Sequence, residues 1–242
     1  MRYLITNADD FGFTRDVNEG IVHAHRHGIL TATTLMATGA AFDHAVELAR
    51  ENPELDIGVH LVLVGSEGYP PTVARLLLSL GTMHIYEELA GQVRKILAAG
   101  IRPTHLDTHK HTHLLPPVLD AVMRVAEDFR IPWVRRPLGP LFHGMLARRG
   151  CRTTDHFAGF RMTGRYDAVA LAKLIRGLPE GSTEFMCHPG FCTEELRGAR
   201  TRLKESRKQE LDALTSTQVR AALEEANVTL GNYRETHLAP DT

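Results

Sequence analysis

The chain has 242 residues, with 28 Lys+Arg against 29 Asp+Glu and a formal net charge of −1. That balance leaves no basic excess for nucleic acid, and 43% hydrophobic with 24% charged residues excludes a disordered chain. No run approaches the roughly 18 uncharged apolar residues of a membrane span, and Cys151, Cys187 and Cys192 are too few, and odd in number, for a disulfide framework.

In chain order, short apolar strands alternate with amphipathic helices. Tyr3-Leu4-Ile5-Thr6 reads as a first strand, ended by Asn7-Ala8-Asp9-Asp10. The opening thus runs from a strand straight into acids, unlike a signal peptide, and a cytoplasmic location is expected. Thr14 is placed to cap a helix running to His27, with Gly28 as its stop. A strand is predicted over 31–36, a helix over 42–51 and a third strand over 56–62. The Gly/Pro-bearing stretch 64–81 is too long for an ordinary connection and reads as an active-site loop. A helix follows over 85–99, stopped by Gly100, then a strand over 104–108. Pro116-Pro117 opens a helix to about Phe129, proline being tolerated in a first turn. Further strands are predicted at 133–135, 151–157, 184–187 and 228–230, and helices at 167–176, 203–214 and 217–226. With no repeat, low-complexity tract or linker, these elements form one domain over 1–242. Seven or eight βα units imply parallel strands, a pattern shared by a barrel and an open doubly wound sheet.

Fourteen histidines stand out, four of them between His105 and His113. Histidine is the commonest transition-metal ligand. On an extended strand His105, Asp107, His109, His111 and His113 share one face. The C-terminal mouth of such a strand is where parallel α/β folds build their sites. One histidine there is ordinarily a surface or core residue, and a His-rich run can bind metal adventitiously. Four at alternate positions with an acid point to a metal site.

Asn7-Ala8-Asp9-Asp10-Phe11-Gly12 sets two adjacent carboxylates at a strand end, where they repel unless a cation or donors compensate. A solvated turn is the ordinary reading. The functional one divides labour, one Asp on a metal and the other free to take a proton. His60 lies inside the apolar run Ile57-Gly58-Val59-His60-Leu61, and His188 ends a strand in Met186-Cys187-His188-Pro189. Each alone would be a core or turn histidine. Asp10, His60 and His109 come from three strand ends that a barrel would bring to one rim. One carboxylate and two imidazoles leave positions open for water and substrate, as a catalytic site requires.

Taken together, NADDFG at 7–12, GVHL at 58–61, THLDTHKHTH at 104–113 and MCHPGF at 186–191 span most of the chain. In order and spacing they resemble the YdjC-like carbohydrate deacetylases, of the chitooligosaccharide and hopanoid-associated deacetylase type. The resemblance implies a deformed, TIM-like (β/α) barrel related to polysaccharide deacetylase barrels. It implies metal-dependent removal of an N-acetyl group from an amino sugar, as oligosaccharide or glycolipid. One divalent ion, Mg or Zn, would be held by Asp10, His60 and His109. Asp9 matches the catalytic base, and His188 a second catalytic residue that donates a proton or orients the base. A family arginine falls at Arg135 or Arg136, expected at the substrate. His111 and His113 are expected to contact substrate hydroxyls or support the ligands, and Asp107 to back a ligand histidine. A metal-dependent hydrolase of a phosphoester or cyclic amide would keep this constellation and change the pocket. A non-catalytic metal-binding module would hold its ion through 105–113 alone. The expected assembly is a homodimer, with no nucleic-acid partner and no transmembrane segment.

Overall fold

The computed structural model describes residues 1–81, 83–137 and 139–234, so the last eight residues of the expected domain lie outside the described residues. Strand β1 (Arg2–Phe11) leads into helix α1 (Arg15–His27), whose N-cap Thr14 accepts from the Val17 N–H. Next come β2 (Ala32–Leu35), α2 (Phe42–Glu51) and β3 (Asp56–Leu61). Two helices follow, α3 (Val73–Ser79) and α4 (Ile85–Ala98). Strand β4 (His105–Thr108) passes through a tight 3₁₀ turn at His109–Leu114 into α5 (Pro116–Asp128). Then come β5 (Trp133–Val134), α6 (Pro140–Arg148), β6 (His156–Ala158), α7 (Ala168–Arg176) and β7 (Gly181–Cys187). The chain continues through α8 (Glu194–Gly198), α9 (Glu205–Leu214), α10 (Thr217–Glu225) and β8 (Val228–Leu230).

All strand pairs are parallel, in the order β5-β4-β3-β2-β1-β7-β6, with β8 beside the first part of β1. On one edge β1 pairs with β7 from Arg2 to Ala8; on the other, β8 takes Arg2–Leu4 and β2 takes the far end. The sheet curls until its edges approach: Arg152, ahead of β6, makes a parallel bridge to Trp133 in β5. The fold is therefore a deformed βα barrel with a seam between β5 and β6, rather than an open doubly wound sheet.

Strand alternation sorts the side chains. Leu4 and Ala8 of β1, Val59 of β3 and Leu106 of β4 pack outward in the main core with α5 residues such as Val118, Leu119 and Val122. Each such buried aliphatic side chain contributes about 1.5–3 kcal/mol. Inside the barrel, Ile5, Ala32, Trp133 and Tyr233 form a small apolar floor. Above that floor the interior turns polar, with Asn7, His105, Asp107, Arg135 and Glu184 all buried. The His105 ring lies so close to β3 that a Cβ at Gly58 would sit 2.6 Å from it, which is why a glycine stands there.

Three expectations change. Strand β1 does not end at Thr6; pairing with β7 and β2 carries it through both aspartates to Phe11. The 64–81 stretch contains α3, capped by Thr72, with Leu76 as its one buried side chain, too little apolar periodicity to read. Helices α6 and α8 add to the expected elements: α8, of five residues, is too short for a periodic signal, and α6 carries a helix-weakening glycine, Gly144, at its centre.

Candidate active site

The pairing of β1 with β2 shifts register between Ala8 and Phe11, a bulge that contains Asp9 and Asp10. Asp10 has φ 70, the left-handed region that non-glycine residues seldom adopt. In a regular strand neighbouring side chains face opposite ways. The bulge re-aims Asp10, so both carboxyls serve one cleft.

Three strand ends then converge. Asp10 Oδ1 lies 3.4 Å from His60 Nε2 and 3.2 Å from His109 Nδ1, and the two nitrogens are 3.2 Å apart. That buried oxygen accepts no well-directed hydrogen bond from any described residue. A buried carboxylate oxygen left in this way beside two ring nitrogens fits the donor set of a divalent cation. Two nitrogens and one oxygen suit a zinc-like ion better than magnesium, which prefers an all-oxygen shell. His60 is aimed from behind by Asp107, whose Oδ1 lies 2.7 Å from His60 Nδ1. Asp107 Oδ2 accepts from Thr34 Oγ1 at 3.0 Å and forms an ion pair with Arg135 Nη1 at 2.8 Å. A carboxylate behind a ligand imidazole sets its tautomer and raises its basicity. Asp9, His60 and Asp107 form a second potential donor group, but its carboxylates are already taken by Arg135, Thr34 and His60.

Charge in this centre is unbalanced, with Asp9, Asp10, Asp107 and Glu184 around Arg135 and Arg207. Burial opposes charge on His60, yet Asp107, Asp10 and Asp9 outweigh it and raise its pKa to about 10. Burial likewise pushes Asp10 up, but Arg207, His109 and His60 hold it well below the usual carboxylate range.

Arg135 is the hub. It forks onto Asp9 at 2.7 and 3.0 Å, and its Nε donates to Glu184 at 2.8 Å. Burial works against ionising Asp9, but Arg135, His60 and His188 pull its pKa far below the ordinary value. His188 Nε2 lies 3.8 Å from Asp9 Oδ2, and His188 Nδ1 is buried without a hydrogen bond from or to any described residue, 4.0 Å from Glu210 Oε2. The His188 backbone N–H donates to Glu210 Oε2 at 2.6 Å. Two residues on, Gly190 packs backbone to backbone against Gly20 of α1, leaving no room there for a Cβ.

Asp9, Asp10, His109, His111 and His188 line one cleft of about 400 Å³, with His60 buried directly behind. His111 stands with its ring 4.8 Å from that of Phe160; burial, then Arg135, lower its pKa to about 3, so the ring is neutral. Other residues expected at the substrate lie elsewhere. His113 is buried, its Nδ1 2.7 Å from Thr108 Oγ1. Alternation fails beyond Thr108 because Lys110 and His111 take φ of 54° and 52° and reverse the chain. His105 stacks on Tyr233 beneath the site at 3.9 Å. The histidine tract therefore supplies only His109 to the donor triad, with Asp10 and His60 coming from other strands. Arg135 is enclosed by three carboxylates instead of standing in the cleft wall. Arg136 donates to the Thr154 carbonyl at 3.0 Å and is not part of that wall.

Sequence reasoning missed Arg207, Glu210 and Glu184. On α9, Arg207 pairs closely with Asp10 Oδ2, and Glu210 accepts from the His188 and Gly164 N–H groups. Both are buried in a stripe with Leu211 and Leu214, at helical spacing. Two charges on an apolar stripe were the available signal. The cleft's outer wall carries Lys110, Arg200 and Arg202, and an adjoining chamber adds Arg161 and Arg165 with no acid among its described lining.

A profile of the family described as YdjC-like protein matches residues 3–225. A carbohydrate deacetylase of Brevibacillus brevis is 33% identical over 96% of this chain and 98% of its own. A chitooligosaccharide deacetylase of Klebsiella pneumoniae is 34% identical over 97% and 99%. A crystallised protein of Enterococcus faecalis, named for a proposed role in cellobiose-phosphate cleavage, superimposes with a TM-score of 0.86 at 28% identity, covering 99% of each chain. No helix among the described residues is long and apolar enough to cross a membrane.

Proposed function

The chain belongs to the YdjC-like family, and on that premise we propose that it is a metal-dependent carbohydrate deacetylase, hydrolysing the N-acetyl amide of an amino sugar to acetate and a free amine. The observation that carries this reading is the convergence of Asp10, His60 and His109 beside a second, separately held carboxylate, Asp9. Asp10, His60 and His109 would hold the divalent ion. When bound, it would polarise the acetyl carbonyl and lower the pKa of water in the cleft, which a base as weak as Asp9 requires.

Arg135 keeps Asp9 ionised and fixes its plane, so the carboxylate is ready to take a proton from the attacking water. As the C–N bond breaks, the nitrogen must leave protonated, because an amide anion is too poor a leaving group. His188 would supply that proton or orient Asp9, a role supported by its position on the cleft with Nε2 3.8 Å from Asp9 Oδ2. His111, neutral beside Phe160, can both donate to and accept from a sugar hydroxyl. The arginine-rich outer wall favours a substrate with a negatively charged substituent remote from the acetamide.

The test is acetate release from N-acetylated chitooligosaccharides, with and without an anionic substituent, by protein treated with chelator and reloaded with zinc or magnesium. Release that needs added metal supports the reading. No release from any N-acetylated sugar by metal-loaded protein overturns it.

A further inference from the structure

We propose that Arg207 touches the acyl group itself: one arm of its guanidinium holds Asp10, while the other donates a hydrogen bond to the acetyl oxygen and to the acetate produced. The inference rests on the deacetylase reading and adds a substrate-contacting residue to it.

Each nitrogen of Arg207 can be accounted for. Nε donates to the Leu203 carbonyl at 3.3 Å, and Nη2 pairs with Asp10 Oδ2. Nη1 is buried and has no acceptor among the described residues. A guanidinium cannot shed its proton, so a desolvated N–H without an acceptor is a deficit that native structures fill with protein, water or ligand. The nearby carboxylates offer little: Asp9 is forked by Arg135, and Glu210 serves the His188 and Gly164 N–H groups.

The guanidinium is also immobilised. The Phe13 ring centroid lies 5.9 Å from its central carbon, and a Cβ on Gly190 would come within 3.3 Å of Arg207 Cδ. Phe13 and Arg207 both line the cleft. On Asp10, Oδ1 lacks a donor while Oδ2 is held by Arg207. The missing acceptor of Nη1 therefore belongs close to the group held by Asp10, His60 and His109, where the scissile carbonyl has to come. A fixed cationic donor there gains strength as negative charge builds on the carbonyl oxygen during water attack.

Arg207→Lys separates the two arms, because an ammonium can pair with Asp10 but has no second planar arm to offer. Titration calorimetry of that variant should show zinc binding within about threefold of wild type. Acetate binding to the zinc-loaded variant should be weaker by about tenfold, and kcat on an N-acetylated chitooligosaccharide lower by about 10²-fold. Unchanged acetate affinity, or loss of zinc and acetate binding together, would reduce Arg207 to a prop for Asp10 and overturn the assignment. Should the variant not fold, a crystal structure of the zinc-loaded wild type with acetate decides. Acetate oxygen within hydrogen-bond reach of Nη1 supports the contact; water alone at Nη1, with acetate elsewhere, overturns it. Acetate bound at Nη1 in a protein that deacetylates no sugar would sink the deacetylase reading and leave the acyl contact standing.

Discussion

Asp107→Asn removes one charge and no volume, yet it should cost the site its metal affinity. In the native protein Asp107 only accepts, from His60 at 2.7 Å and from Thr34 at 3.0 Å, and it forms an ion pair with Arg135 at 2.8 Å. An asparagine must turn its NH₂ toward one side. Facing Arg135 it opposes a guanidinium donor; facing His60 it opposes the Nδ1–H that leaves Nε2 free to hold an ion together with Asp10 and His109. Either orientation loses one strong contact and sets two donors against each other. Losing such support behind a metal ligand typically weakens binding about 10–100-fold, or about 1.4–2.8 kcal/mol. Equilibrium dialysis of zinc against wild type and variant at neutral pH, with thermal unfolding of both as a control, measures this directly. A folded variant that binds zinc as wild type does would show that His60 is not aimed by Asp107, and the proposed ligand geometry would fall with it.

Asp9→Asn should keep its metal and lose about 10²–10⁴-fold in turnover; zinc content and acetate release, measured on the same sample, check it. Arg135→Met leaves Asp9, Asp107 and Glu184 buried without their shared cation. It should cost about 3–5 kcal/mol, read from urea midpoints. The pH dependence has a definite sign. The folded pKa of Asp9 lies below its usual 3.8, so its contribution is complete above that value and lost as pH falls toward the folded one. Metal-free wild type should therefore lose stability on acidification below about pH 4, and Arg135→Met should flatten that limb of the profile. Arg161→Glu combined with Arg202→Glu should raise KM for an anionic sugar and leave a neutral one unchanged, an effect that shrinks with added salt. Equal KM changes for both sugars would remove the electrostatic role of the outer wall.

Much of the scaffold is local and therefore legible. Thr14 caps α1 because its hydroxyl reaches the Val17 N–H, and α2 spans the residues that its apolar spacing marks. Asp10, His60 and His109 are visible in sequence because each lies late in, or just after, a predicted strand, and parallel strands have one common mouth. The histidine tract shows where such reading stops. Its alternate spacing predicts a shared face, which holds for His105 and Asp107 and fails from Lys110, where the backbone enters the left-handed region.

Chain order alone thus determined the βα rhythm, the metal-type donors and the acid pair, since these depend on near neighbours and on residue chemistry. What it left open was settled by contacts distant in sequence. The bulge that turns Asp10 beside Asp9 exists because β2 pairs out of step with β1. The cation that holds Asp9 comes from 126 residues away, and the one that holds Asp10 from 197. A charge on an apolar stripe can mark a buried arginine, but no local pattern says which carboxylate it meets, because that is fixed only once the closed barrel has set carboxylates around it.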